Sequence, residues 1–184
     1  MLHSQSVTLP DRQLLEEHLQ TPIGVLVLTH DGKSLCNAEF ENQDERRRQE
    51  LVHHFRGIKV ERTRMRSIFG DALNDYFEGD VCAIDKLPVF KLGTPFQQKA
   101  WAALRRIPVG KTRGYGEQAA KLGNPNAARA IGRANGLNPI SIVVPCHRLV
   151  GADGSLVHYG GGLERKRWLL EHETQHAKSE RKAE

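Results

Sequence analysis

The segment from Pro88 to Gly93 divides the chain into two halves whose sequence patterns differ. Before it, Ile23 to Thr29 is rich in β-forming residues, and Asp31-Gly32 is a hairpin signal ahead of Ser34 to Phe40. After it, alanine-rich stretches with helically spaced apolar residues dominate. An α+β fold is therefore predicted, in which a small sheet-and-helix unit precedes a mainly helical one. The predicted divisions are residues 1–92 (with an extension at 1–20), residues 93–175 and a polar tail at 176–184.

Three helices are predicted in the first half from the spacing of apolar residues and from stop signals. They cover residues 11–20, Asp44 to Phe55, and Met65 to Phe77. Thr21-Pro22 stops the first, and Gly79 ends the third. The apolar faces of the second and third are predicted to consist of Leu51, Val52, Phe55, Ile68, Leu73, Tyr76 and Phe77.

Two long helices are predicted to frame the second half. Thr94 is an N-cap residue and Pro95 suits a first helical turn, so a helix is expected from there to Arg106. An amphipathic helix is expected from Leu163 to His172, and a frayed polar tail from Thr174. The residues expected to face the core are Phe96, Ala100, Trp101, Leu104, Leu163, Trp168, Leu169 and Leu170.

Between them, Tyr115 to Leu122 and Ala127 to Asn135 read as two short helices joined by a four-residue turn. This is the helix-turn-helix pattern. Arg129 and Arg133 lie one turn apart on the second helix and share a face. Such a slim helix either approaches a nucleic-acid backbone or packs its small residues in the core, and the segment alone does not separate the two. Those small residues are Ala127, Ala128, Ala130 and Ala134.

Charge is distributed unevenly between the two halves. Residues 94–173 contain 12 basic and 5 acidic side chains, whereas the remainder contains 15 basic and 17 acidic ones. A basic half favours contact with a polyanion such as nucleic acid, although ordinary surface solvation gives the same excess.

The cysteine count and the hydropathy indicate the cellular compartment. The three cysteines are odd in number and widely spaced, which disfavours a disulfide framework and fits a reducing compartment. No apolar run approaches the roughly 20 residues of a membrane span, so a soluble, cytoplasmic protein without membrane contacts is expected. No zinc-ligand spacing is matched by Cys36, Cys82, His53 and His54, so neither a metal nor a cofactor is expected.

The segment NPISIVVPCHR, Asn138 to Arg148, is the candidate reactive site. Ile140 to Val144 is predicted to form a short strand that ends at Pro145, so that a turn can expose Cys146 and His147. A nearby histidine can help to form the thiolate that acts as a nucleophile. The alternative is a buried, inert cysteine. Glu173, at the end of the last predicted helix, is either an acceptor for an imidazole or a solvated surface carboxylate.

These segments together resemble the O6-alkylguanine-DNA alkyltransferases of the constitutive bacterial type. The resemblance runs from Thr21 to about Glu173 and is dense in GTPFQQKAW, AARAIGRANGLNPISIVVPCHR and YGGGLERKRWLLEHE. It implies an N-terminal domain resembling ribonuclease H and a C-terminal, winged-helix-like domain with a helix-turn-helix. It further implies irreversible, single-turnover transfer of an alkyl group from O6-alkylguanine in DNA, with O4-alkylthymine as a second candidate lesion.

The resemblance also implies site residues. Cys146 would accept the alkyl group, and His147 and Glu173 would withdraw its proton through a water. Tyr115 would help to turn out the nucleotide and would protonate the departing guanine, while Arg129 would fill the vacated space. Asn138 would tie the second helix of the helix-turn-helix to the reactive segment. The remaining implied contacts are Ala127, Ala128, Gly132 and Arg133 with DNA, and Leu149, Tyr159, Gly160 and Lys166 with the base.

The implied partner is double-stranded DNA, bound through the minor groove by a monomer with little regard to sequence. One departure from the family pattern is His158, which stands where many relatives have glycine before Tyr159. Two other functions compete with alkyl transfer. A lesion sensor would bind alkylated DNA without changing its own mass, and a thiol hydrolase built on Cys146, His147 and Glu173 would turn over many times and ignore DNA.

Overall fold

The computed structural model describes residues 13–180, with side chains for residues 13–177. The first half forms a four-stranded sheet of order β3-β2-β1-β4, with antiparallel β1–β2 and β2–β3 pairs and with β4 parallel to β1. Residues 1–12 of the predicted extension and 181–184 of the predicted tail lie outside the described part. The strands are β1 (Leu14–Thr21), β2 (Gly24–His30), β3 (Leu35–Phe40) and β4 (Val60–Arg62).

The hairpin predicted at Asp31-Gly32 is confirmed. It joins β2 to β3, and Gly32 has a φ of +81°, which glycine adopts without a steric penalty. The Asp31 carboxylate accepts hydrogen bonds from the backbone N–H groups of Lys33 and Ser34, at 2.9 and 2.7 Å. The side chain therefore stabilises the turn that sets the register of β3.

The helix predicted over residues 11–20 is wrong, because its described part is β1. The sequence LLEEHLQT has the residue types of a helix, yet β1 pairs with β2 from Leu15 to Thr21. Leu14 and Leu19 are buried in the core, and Glu17 is buried with Ser67, whose hydroxyl and backbone N–H both donate to its carboxylate. Pairing on both sides of β1 outweighs a local preference of a few tenths of a kcal/mol per residue.

The two other helices predicted in the first half are present as α1 (Asp44–His54) and α2 (Ile68–Glu78). Ser67 caps α2, its hydroxyl accepting a hydrogen bond from the Gly70 N–H, and Gly79 ends it as predicted. Leu51, Phe55, Leu73 and Tyr76 are buried, as predicted from the helical spacing. Four apolar residues of the predicted faces are instead exposed: Val52, Ile68, Phe96 and Leu163.

The second half contains α3 (Pro95–Leu104), α4 (Tyr115–Lys121), α5 (Ala128–Gly136) and α6 (Leu163–Glu180), with a two-stranded parallel sheet of β5 (Arg113–Gly114) and β6 (Leu149–Val150). Thr94 and Gln97 form a capping box at the start of α3, which confirms the predicted start. The polar tail expected from Thr174 is wrong as far as Glu180, because α6 continues to that residue. The α+β class and the order of the two units are confirmed.

The reactive segment attaches to the edge of β3 that faces away from β2. The Ala38 N–H donates to the Pro139 carbonyl at 2.9 Å, and the Ser141 N–H donates to the Ala38 carbonyl at 2.8 Å. The strand predicted over Ile140 to Val144 is wrong, since only Ile140 forms a bridge and the chain then turns. Ile142 has a φ of +72°, a region that β-branched residues rarely adopt, so the turn is held by its surroundings rather than by local preference.

Candidate active site

Cys146 begins a 3-10 turn, Cys146–Arg148, directly after Pro145. The prediction that this turn exposes the thiol is wrong, because only 4% of Cys146 is exposed. Burial raises the pKa of the thiol, and Asn138, Lys166 and Arg46 only partly oppose the shift. The resting site therefore holds a protonated thiol, which needs a base before it can act as a nucleophile.

His147 is fully buried and is joined to α6 through Glu173. Its Nε2 lies 2.8 Å from Oε1 of Glu173, and both side chains are 0% exposed. Because an ionised carboxylate only accepts hydrogen bonds, the imidazole proton lies on Nε2 and Nδ1 is left as an acceptor. That Nδ1 is buried and has no hydrogen-bond partner among the described residues. Burial lowers the pKa of His147 despite the opposing charge of Glu173, which keeps the ring neutral and leaves the Nδ1 lone pair available to accept a proton.

The alternative that Glu173 is a solvated surface carboxylate is wrong. Its Oε1 also accepts from the hydroxyl of Tyr76 at 3.0 Å, and both oxygens accept from the guanidinium of Arg148 at 2.9 Å. The Gly110 N–H lies 3.3 Å from Oε2. Burial is the largest influence and favours the neutral acid, but His147 and Arg148 together hold the pKa of Glu173 far below its usual range.

Two residues of this buried cluster were missed by sequence reasoning. Arg148 follows the Cys-His pair and is 2% exposed, and its Nη1 also donates to the Ile107 carbonyl at 2.6 Å. Tyr76 lies on α2, 97 positions before Glu173 in the sequence, and is fully buried. Neither residue carried a signal in the sequence, because the burial that makes Arg148 need a carboxylate partner is not visible from residue type.

Asn138 holds the turn that precedes the cysteine. Its Nδ2 donates to the Val144 carbonyl at 2.8 Å, and its Oδ1 accepts from the Ile140 N–H at 3.0 Å. From the other half, Arg46 on α1 donates to the Asn138 carbonyl at 3.1 Å. Asn138 stands two residues after the end of α5, so it links that helix to the reactive segment.

Tyr115 is the first residue of α4 and is half-buried. A Cβ on Gly132 of α5 would lie 3.9 Å from its ring, at ordinary van der Waals distance, so α5 and the ring lie side by side. Asn135, another residue that sequence reasoning missed, reaches both reactive elements with its amide. Its Nδ2 lies 3.4 Å from the Tyr115 hydroxyl oxygen and 3.3 Å from the Cys146 carbonyl oxygen.

The predicted helix-turn-helix is confirmed as α4, a turn, the 3-10 helix Pro125–Ala127, and α5. Arg129 and Arg133 are both exposed, whereas Ala127 and Ala128 are half-buried. Only the inner side of α5 packs in the core, where Ala134 is buried and its carbonyl accepts a hydrogen bond from the Trp101 indole at 2.9 Å. The inner face of α5 thus packs small residues in the core, and its outer face presents both arginines to solvent.

The remaining predicted site residues surround the reactive turn. Lys166 is fully buried, and its ammonium donates to the carbonyls of Leu149 at 2.6 Å and Val157 at 2.7 Å. Burial lowers the pKa of Lys166 to about 8. The Gly160 carbonyl accepts a hydrogen bond from the Gln43 side chain. The Tyr159 ring stands edge-on to that of His147, with centroids 6.4 Å apart.

His158 has a φ of +36°. That conformation lies towards the left-handed region, which glycine adopts without a steric penalty and most other residues rarely adopt. Within residues 13–177, no three histidine, cysteine or acidic side chains come together as a metal site. In the same part of the chain, every helix is too short or too polar to cross a membrane.

Sequence models of two domains match the chain. Residues 14–90 match the ribonuclease-like domain of 6-O-methylguanine DNA methyltransferase, and residues 95–175 match its DNA-binding domain. A methylated-DNA–protein-cysteine methyltransferase of Salmonella typhimurium is 49% identical over 164 residues, 88% of this chain and 96% of that protein. One of Mycobacterium tuberculosis is 43% identical over 162 residues, 86% of this chain and 92% of that protein.

Solved structures of similar proteins also match this chain. The crystal structure of Mycobacterium tuberculosis OGT in complex with DNA has a TM-score of 0.72 and 40% identity, and the match covers 88% of this chain and 94% of that one. The O6-methylguanine methyltransferase of the same organism has a TM-score of 0.70 at 39% identity. At these identities the likeness extends to sequence as well as fold.

Proposed function

The chain belongs to the 6-O-methylguanine DNA methyltransferase family, and we propose that it repairs DNA by moving an alkyl group from O6 of guanine to Cys146. The observation that carries the proposal is the pairing of His147, the neighbour of the cysteine, with the buried and ionised Glu173. A cysteine kept only for packing needs no such base. We assign the reaction to residues 93–175.

The first chemical step is removal of the thiol proton. Glu173 accepts the Nε2–H of His147, which leaves Nδ1 as the base. Adjacent residues of one chain do not face each other, so we propose that a water passes the proton from Sγ of Cys146 to Nδ1. Glu173 then stabilises the imidazolium that forms, as a buried carboxylate does for a histidine base.

The second step is displacement at the alkyl carbon. The Sγ–C bond forms as the C–O6 bond breaks, and the bonding electrons leave with the guanine. Tyr115 donates its hydroxyl proton to the departing base, which makes guanine a better leaving group. The product is a thioether, a very poor leaving group, so the chain is consumed in a single turnover.

The substrate base must leave the duplex to reach the cysteine. Extruding a nucleotide costs a few kcal/mol, and we propose that Arg129 offsets part of this by entering the stack. The exposed face of α5 carries small residues, which suits a minor groove about 6 Å wide once it is widened. Ala127, Ala128, Gly132 and Arg133 would contact the sugar-phosphate backbone, which carries no sequence information.

Because the thiol is buried, side chains around it have to move before a base can reach it. Since 4% of Cys146 is exposed, an entering base has to shift the side chains that cover the sulfur. We propose that Leu149, Tyr159 and Gly160 receive the base, with Lys166 holding the Leu149 carbonyl in place. The protein would act as a monomer in the cytoplasm, where free thiols persist.

One experiment tests the function. The protein is mixed with a duplex that contains O6-methylguanine, its intact mass is recorded, and the adduct is mapped. One methyl group per chain on Cys146 is the expected result, and Cys146→Ala should abolish transfer while retaining DNA binding. Binding without an adduct would instead indicate a lesion sensor, and turnover of an ester without DNA a thiol hydrolase.

A further inference from the structure

One amide side chain contacts both the nucleophile's backbone and the proton donor. Nδ2 of Asn135 lies 3.3 Å from the Cys146 carbonyl oxygen and 3.4 Å from the Tyr115 hydroxyl oxygen. Asn135 is 6% exposed and stands near the end of α5, the helix whose outer face carries the exposed arginines. It thus reaches from the helix that we propose faces DNA to the two groups that the proposed reaction uses.

The direction of these hydrogen bonds matters for the chemistry. An amide N–H can only donate, so the Tyr115 oxygen is the acceptor and its own O–H proton stays available to the substrate. A carboxylate or carbonyl at the same place would instead capture that proton. The same contact opposes the effect of burial, which raises the pKa of Tyr115. A tyrosine that must give up a proton benefits from both effects.

The second contact fixes the amide. Because the Cys146 carbonyl accepts from the same Nδ2, the nitrogen faces the reactive turn and the Asn135 Oδ1 faces away from it. That Oδ1 is buried without a hydrogen-bond partner among the described residues, so the amide orientation is selected by its donor side. An amide whose role was only to satisfy its own polar atoms would have hydrogen-bond partners at both Nδ2 and Oδ1.

We propose that Asn135 is a positioning residue that orients the Tyr115 hydroxyl as the proton donor and keeps its proton free for the leaving base. The inference rests on the proposed alkyl transfer. It assigns Asn135 no contact with the alkyl group; its effect passes through Tyr115.

The test is a double-mutant cycle between Asn135 and Tyr115. Single-turnover transfer from duplex O6-methylguanine is measured over a range of DNA concentrations for wild type, Asn135→Ala, Tyr115→Phe and the double variant. Asn135→Ala should lower the maximal rate about tenfold and leave the half-saturating DNA concentration unchanged, a part of the 10²–10⁴-fold range of general acid–base catalysis. In the Tyr115→Phe background, the same substitution should change the rate less than about twofold.

An isosteric variant separates positioning from folding. Asn135→Asp retains the shape of the side chain but accepts where the amide donates, so it should lower the maximal rate at least as much as Asn135→Ala. Thermal melting checks that each variant is folded. Asn74→Ala is the matched control, because Asn74 makes its amide hydrogen bond, 2.7 Å to Glu78, at the exposed surface of α2. Its transfer rate should equal that of wild type.

The outcomes are distinct. Equal losses from Asn135→Ala in both Tyr115 backgrounds would overturn the inference and indicate a structural role, as would a wild-type rate for Asn135→Asp. If wild type itself leaves Cys146 unmodified, the proposed function fails and the inference with it. If wild type transfers the methyl group and Asn135→Ala does so at the same rate, only the inference fails.

Discussion

The reactive cluster and the outer face of α5 are built in opposite ways. In the cluster, Glu173 accepts hydrogen bonds from His147, Tyr76 and Arg148, and all four side chains are at most 2% exposed. On α5, Arg129 and Arg133 are exposed; of the residues between them, Ala130 and Gly132 are small and Ile131 is buried in the core. Under the proposed function, the chemical step depends on partners that fix each group, whereas the approach of DNA depends on two exposed cations among small side chains.

The strongest test of the buried side is Glu173→Gln. Removing the charge leaves Arg148 buried without its counterion, which costs about 3–5 kcal/mol, and deprives His147 of the carboxylate that stabilises its protonated form. We expect a loss of that size in the free energy of unfolding by urea, and a transfer rate at least about 100-fold lower. Glu171→Gln, an exposed position on the same helix, should change neither.

A double variant divides these two effects. Adding Arg148→Met to Glu173→Gln removes the orphaned charge, so stability should return while transfer stays lost. If transfer returned together with stability, Glu173 would act only by holding the fold, and the reactive cluster would be a structural ion-pair network.

A second buried carboxylate sharpens the comparison, because it lacks the partners of Glu173. Glu39 on β3 is fully buried, and its nearest cation is the Nε of Arg46 at 3.2 Å. Burial, only partly opposed by Arg46 and Asn37, raises the pKa of Glu39 to about 7. The folded state favours the protonated acid, so this carboxyl supports stability below about pH 4.5 and loses that contribution as the pH rises through 7.

Glu39→Gln should therefore matter only at the higher pH. We expect the variant to lie within about 1 kcal/mol of wild type in unfolding free energy at pH 5 and to exceed it by about 3 kcal/mol at pH 8, because the amide that replaces the carboxyl group does not ionise. Urea unfolding at both pH values measures this, with the exposed Glu45→Gln as control. A difference that is the same at both pH values would mean that the carboxyl does not titrate in this range.

Features that depend on neighbouring residues could be predicted from the sequence, whereas features that depend on distant residues could not. The helix-turn-helix and the cap of α3 follow from signals within a few residues, such as Thr94-Pro95 and the Gly123 turn, and they were predicted correctly. The surroundings of Glu173 depend on Tyr76 and His147, which are 97 and 26 positions away along the chain. Residue type named Cys146 and His147 as candidates, but burial of the thiol arises from packing that no local pattern records.

Strand pairing is the other feature that the sequence did not predict. The sequence of β1 has helical residue types, and only its partners β2 and β4 make it a strand. The turn at Ile142 likewise contradicts the preference of a β-branched residue and is fixed by the bonds of Ala38 and Asn138 to its ends. Errors in the sequence-based prediction fall where distant segments override local preference.

On the exposed face of α5, Arg129→Ala separates extrusion of the base from the chemical step. Loss of the group that fills the vacated stack should slow transfer from duplex O6-methylguanine about tenfold, the equivalent of about 1.4 kcal/mol of the cost of base extrusion. Reaction with free O6-benzylguanine needs no extrusion and should proceed at the wild-type rate. Arg106→Ala removes an exposed arginine outside α5 and should leave both rates unchanged. Equal slowing with both substrates would contradict the role given to Arg129.

The smallest effect is expected for Arg133→Ala, and it is seen in the dependence of binding on salt. A cation that contacts one phosphate releases about one counterion, so the slope of log affinity against log salt should become shallower by about one, with affinity lowered a few-fold. Fluorescence anisotropy on an undamaged duplex at several salt concentrations measures the slope. Arg64→Ala, which removes an exposed cation beyond β4 on the far edge of the sheet from β3, should leave the slope as it is. An unchanged slope for Arg133→Ala would place the DNA on another part of the surface, and the small residues of α5 would then need a different explanation.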